Sequence, residues 1–322
     1  MVSKRTIDGI EIYTAESDHL VFSITPALGG KITSVFNKSL NKEFLWTNKN
    51  LHLQVNEPGS DYDSNFYGGI DELIPNDMPE TVGSISFPDH GELWTTALEY
   101  QEESGKISLS AKLLLSGLFY SKTVYASTNH PVINIDYAIR NESSERKDFL
   151  WKLHAALRIQ EGDRLVSPAR YAEVVDPEYS RFPKGGQFGW PFVDDQDASI
   201  VPVLNNTMDF FYLYDIAEGK MQLSGEGGAH LFSYHYDTKI FPYQWYFASY
   251  GGFLDHYTAI LEPCTNMPMS INEARDKGQS CKLEPGESLT TSVQIYAGDK
   301  KGYEYWMLSN TNPAAGLRSK KM

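Results

Sequence analysis

The chain has 322 residues, with 42 Asp and Glu against 28 Lys and Arg and a formal net charge of −14. That balance excludes a nucleic-acid binder, which needs clustered cations, and it weighs against a strongly anionic small substrate. Two cysteines, Cys264 and Cys281, are too few for a disulfide scaffold, and no apolar run approaches the roughly 18 residues of a membrane span.

In chain order, the segment after Met1 carries no apolar run, so no signal peptide is expected, and the location is read as cytoplasmic. Strands are predicted over 19–25 and 31–37, separated by Pro26-Ala27-Leu28-Gly29-Gly30. Alternation predicts further strands over 106–115, 119–126 and 132–141, with Ile107, Leu109, Ala111 and Leu113 on one face and Asn129-His130-Pro131 as a break. Segment 167–195 is rich in Pro, Gly, Tyr and Asp and reads as a long surface excursion of the kind that borders sites. A short helix is predicted over 271–277, a strand over 288–296 after the turn Glu284-Pro285-Gly286-Glu287, and a second short helix over 301–308. The basic end, 318–322, reads as frayed. Many short strands, Gly/Pro turns and few short helices predict an all-β antiparallel sandwich or barrel, with no repeat or linker dividing 1–322 into more than a single domain.

Chemistry-bearing residues concentrate in three places. Gly68-Gly69-Ile70-Asp71-Glu72-Leu73-Ile74-Pro75, followed by Pro88-Asp89-His90-Gly91-Glu92-Leu93-Trp94, sets paired glycines, acids, a histidine and a tryptophan in loop-like sequence. His154 sits in the apolar run Trp151-Lys152-Leu153-His154, and Glu262 in Ala259-Ile260-Leu261-Glu262-Pro263. Two histidines and a glutamate suit general acid/base work near neutral pH on a sugar, because imidazole titrates there and burial raises a carboxyl group toward it. Trp94, Trp245 and Tyr243 could stack on sugar rings, although core packing explains most aromatic residues.

These segments, in this order, resemble the aldose 1-epimerase (galactose mutarotase) superfamily across nearly the whole chain. The matching pieces are the paired-glycine segment ending at Pro75, the His-Gly step at His90-Gly91, Leu153-His154-Ala155-Ala156-Leu157 and Leu261-Glu262-Pro263-Cys264-Thr265. The resemblance implies a galactose mutarotase-like antiparallel β-supersandwich. It implies Glu262 as the base that takes the anomeric proton, His154 as the acid that protonates the ring oxygen, and His90 as a substrate-binding histidine. Branches acting on phosphorylated hexoses carry arginines where this chain has Tyr67 and 92–96, so the expected partner is a small, unphosphorylated sugar, with no cofactor and no metal. Two other readings stay open: a non-catalytic carbohydrate-binding protein, and a lyase or hydrolase on a related supersandwich.

Each candidate also has a plainer reading. His154 could be a satisfied core histidine, His90 a turn residue, and Glu262 half of a buried ion pair. Asp71 and Glu72 could bind sugar hydroxyls or cap a loop. Lys31 reads as solvated, His256 as a strand end, and Glu273 as a loop carboxylate. His230, His235 and Asp237 match no dependable metal-ligand spacing.

Overall fold

The computed structural model describes residues 2–311; the basic end, 318–322, lies outside the described residues. Strands make up 50% and helices 9%, so the all-β expectation holds. Two large antiparallel sheets carry the fold. The first places strands in the order Val2–Ile7, Ile10–Glu16, Leu20–Thr25, Lys31–Asn37, Ile70–Leu73, Lys152–Arg158, Tyr257–Cys264, Tyr243–Tyr250, Thr207–Ile216, Ala169–Val174 and Gly186–Gly189, with Lys42–Glu43 paired onto Lys31–Asn37. The second runs Arg164–Val166, Lys220–Ser224, Leu231–His235, Ser288–Gly298, Val132–Asn141, Leu118–Ala126, Lys106–Lys112 and Glu99–Glu103.

Period-two patterning explains the layering. Along Val132–Asn141, Ile133, Ile135, Tyr137 and Ile139 are buried on one face, and from the first sheet Leu153, Ala155, Leu157, Leu261, Tyr246 and Phe211 meet them in one contiguous core. Burying that core is the main favourable term in folding. The predicted strand 106–115 stops at Lys112, where Leu113 to Gly117 turn the chain and leave Leu114 exposed. The helices are Ile271–Asp276, capped by Ser270 Oγ accepting from the Glu273 amide, and Lys300–Thr311.

Segment 167–195 differs from its reading. Ala169, Ala172 and Val174 are apolar enough to join the core, so Ala169–Val174 enters the first sheet, while Gly186–Gly189 forms its largely exposed edge. Pro177, Pro183 and Gly185 lie in the connection between these strands, and none of the segment's residues borders the cavity described next.

Candidate active site

Antiparallel register builds the site as a row across the first sheet. Residues paired across neighbouring strands share a face, with Cβ atoms about 5 Å apart. Asp71 pairs with His154, Glu262 with Trp245, and Trp245 with Tyr212. Lys152 opposite Cys264 and Ala155 opposite Leu261 set His154 level with Glu262. The row therefore reads Asp71, His154, Glu262, Trp245, Tyr212, on the face turned away from the inter-sheet core. A parallel row of Ala156, Ile260, Phe247 and Phe210 flanks it on one side, and Lys152 on the other.

Loops roof this row and close a cavity of about 180 Å³. His154, Glu262, His90, Lys152, Asp77, Tyr62 and Trp245 contribute to its walls, with Phe66, Phe210, Phe247, Phe253 and Met269 supplying apolar surface and His256 and Thr258 the far edge. His90 is carried by a left-handed turn, with φ of 56° at His90 and 77° at Gly91. Gly91 lies so close to the preceding loop that a Cβ would sit 2.3 Å from the Ile74 carbonyl oxygen. Glycine is therefore required there, and the contact fixes where His90 enters the cavity.

The polar groups are held tightly. The Lys152 ammonium is buried, ion-paired with Asp77, 3.3 Å from Glu262 Oε2 and 3.5 Å above the Trp245 ring. Burial pushes the Glu262 carboxyl up to about 6, against the opposing pull of Lys152. Burial holds His154 well below the ordinary histidine value, and the positive charges of Lys152, His90 and Lys31 push the same way. His90 goes the other way. Burial disfavours its charge, but Asp89, 2.9 Å from Nδ1, and Asp77, 4.0 Å from Nε2, outweigh that and raise it. Its ring stacks on Tyr62 with centroids 4.0 Å apart. The site thus combines a carboxyl poised near neutrality, an imidazole held toward its neutral form and a second imidazole whose charged form the neighbouring carboxylates favour.

Of the residues singled out in the sequence, His90, His154, Glu262 and Trp245 line the cavity together. Asp71 and Glu72 do not. Adjacent strand residues point to opposite faces, so one of them must leave the site face. Asp71 stays on that face but lies behind the cavity wall, paired with Lys31 and accepting from Tyr62 Oη at 3.0 Å. Glu72 faces the inter-sheet core, where Lys122 (2.6 Å) and Tyr137 Oη (2.6 Å) satisfy it. Trp94 supports the wall from outside, edge-on to Tyr62 and donating to the Asp89 carbonyl at 3.3 Å. Lys31 is buried rather than solvated, because Asp71 and the Gly68 carbonyl receive its ammonium. His256 does precede a strand, yet it also lines the cavity, and Glu273 belongs to the helix Ile271–Asp276 rather than to a loop. Sequence reasoning passed over Lys152, Asp77 and Tyr62. Lys152 had a signal: it precedes His154 by two in a strand and must share its face. Tyr62, set among Asp61, Asp63, Ser64 and Asn65, had none. Among the described residues, no group of three or more His, Cys, Asp or Glu is arranged to hold a metal ion.

No protein-family model matches the chain, and no curated protein matches its sequence. Solved structures do match. A protein from Klebsiella pneumoniae provisionally called an aldose 1-epimerase superposes with a TM-score of 0.71 at 13% identity, over 100% of this chain and 88% of that one. A galactose mutarotase-like protein from Clostridium acetobutylicum gives 0.69 at 15% identity, over 93% and 98%. A galactose mutarotase related enzyme from Lactobacillus acidophilus gives 0.64 at 14% identity, over 89% and 97%. At these identities the likeness is one of fold: this chain has the galactose mutarotase-like fold.

Proposed function

We propose that this chain is an aldose 1-epimerase-like isomerase that interconverts the anomers of a neutral sugar. Glu262 takes the anomeric proton, the histidine side of the cavity serves the ring oxygen, and the open-chain aldehyde recloses on its other face. The observation that carries this reading is the convergence of Glu262, His154 and His90, from three distant segments, on one cavity. The upward shift of Glu262 to about 6 adds to it, because a base near the working pH transfers protons best. A neutral sugar is favoured because the walls carry three acidic side chains, Asp63, Asp77 and Glu262, against a single lysine, Lys152, and no arginine lines them. A sugar phosphate would meet net repulsion there.

The test is anomer exchange of freshly dissolved α-aldoses, followed by NMR or polarimetry. Exchange faster than buffer, reduced at least 100-fold by Glu262→Gln, is expected. Rates equal to buffer across a panel of neutral sugars would sink the proposal. A second reading, sugar binding without turnover, draws on the Lys152 contact, which occupies one Glu262 oxygen. It would show as sugar-induced thermal stabilisation with no faster exchange.

A further inference from the structure

Behind His154 lies a chain of polar groups with only one consistent arrangement of protons. Tyr62 Oη is 3.0 Å from Asp71 Oδ2 and 3.4 Å from His154 Nδ1, and all three groups are buried. Tyr62 has a single hydroxyl proton to place. Asp71, paired with the buried Lys31 ammonium, is a carboxylate that can only accept. A hydroxyl–carboxylate bond is charge-assisted and about twice as strong as a neutral one, and here it is also the shorter contact. Tyr62 therefore donates to Asp71. The remaining contact closes only if His154 Nδ1 carries a proton and donates it to Tyr62 Oη.

We infer that Tyr62 and Asp71 are positioning residues that lock His154 in its Nδ1–H tautomer, so that Nε2 offers the cavity a lone pair. His154 is then a hydrogen-bond acceptor for a sugar hydroxyl in the resting site, not its proton donor. The edge-on contacts of its ring with Tyr62 and Phe66, at 5.8 and 5.5 Å, hold the imidazole plane against a flip. The tautomer stands on hydrogen bonding alone; its use toward a sugar rests on the function proposed above.

In that reaction the proton for the ring oxygen comes from another wall group. His90, with Asp89 2.9 Å from Nδ1 and Asp77 4.0 Å from Nε2, lines the same cavity, and these two carboxylates favour its protonated form. Glu262 removes the O1 proton, the freed electron pair forms the C1=O bond, and the C1–O5 pair passes to O5, which takes a proton from His90. Closure on the opposite face of the aldehyde reverses each transfer, so nothing is consumed.

The experiment is a long-range ¹H–¹⁵N correlation spectrum of the histidine-labelled protein at pH 7 without substrate, with His154 identified by the signal missing in His154→Gln. A protonated Nδ1 and an unprotonated Nε2 are expected. In Tyr62→Phe, which leaves Nδ1–H without its acceptor, the ratio of Nδ1–H to Nε2–H should fall at least 3-fold. An Nε2–H tautomer or an imidazolium in the wild-type protein overturns the inference, and that spectrum decides even if the variant does not fold. An unchanged ratio in folded Tyr62→Phe also overturns the role of Tyr62. A wild-type protein with the expected tautomer but no anomer exchange would refute the proposed function and leave the tautomer standing; the opposite pair of results would do the reverse.

Discussion

Replacing Glu262 by Gln should stabilise the protein at neutral pH while destroying its acid/base competence. The carboxyl group titrates at about 6 in the folded chain against an ordinary value of 4.5. A carboxyl raised on folding favours the native state while protonated, and that advantage is lost as pH rises through the folded value. Above pH 7 the ionised side chain therefore costs about 2 kcal/mol, from 1.5 pH units at about 1.4 kcal/mol each. Glutamine mimics the protonated form, so Glu262→Gln should gain up to about 2 kcal/mol at pH 7.5 and less than about 0.5 kcal/mol at pH 4.5. Urea unfolding of both proteins across this range measures the difference, with equal m-values as the check on two-state behaviour. A variant less stable by more than about 1 kcal/mol at pH 7.5, or a difference that does not change with pH, would refute the reasoning. The first result would mean that the Lys152–Glu262 attraction outweighs burial. Stability surrendered at a buried carboxylate is common where chemistry needs one.

Three further outcomes follow from the same packing. Lys152→Met leaves Asp77 and Glu262 buried without their cation and should cost about 3–5 kcal/mol at pH 7, the loss shrinking toward pH 5 as carboxyl groups protonate; urea melts at the two pH values read it. Lys122→Met should cost a similar ~3–5 kcal/mol by stranding Glu72, and adding Glu72→Gln should recover part of it without changing sugar-induced stabilisation, because this pair lies on the other face of the sheet. Gly91→Ala should lower stability by roughly 2 kcal/mol or more and weaken sugar binding with it, since the new methyl meets the Ile74 carbonyl and displaces His90; calorimetry with and without sugar tests both.

How legible each part was in the sequence depends on range. Strands such as Val132–Asn141 could be read because their alternation is local, and one face must be apolar for the two sheets to pack. His154 and Glu262 stood out because an ionisable group in an apolar strand needs a reason. Asp71 and Glu72 looked alike because adjacent acids do not say which face of the sheet each will take. Register settled that, and it depends on the pairing of Ile70–Leu73 with Lys152–Arg158, some eighty residues away. The partners that neutralise them, Lys31 and Lys122, lie 40 and 50 residues away in the sequence, so Lys31 looked like an ordinary solvated lysine. Segment 167–195 misled because proline and glycine content marks turns but does not show how short the strands between them can be.

The row that carries His154, Glu262 and Trp245 has a consequence for how such a site can change. Its members are spaced by backbone hydrogen bonding, so the molecule offers fixed addresses, about 5 Å apart between strands and about 7 Å apart along one. A single substitution at an address rewrites the chemistry there while the neighbouring addresses keep their coordinates. Sliding the Tyr257–Cys264 strand by two residues would instead present Ile260 or Cys264 where the carboxylate stood. New reactivity on this sheet is thus reached by swapping pegs in a board whose holes do not move.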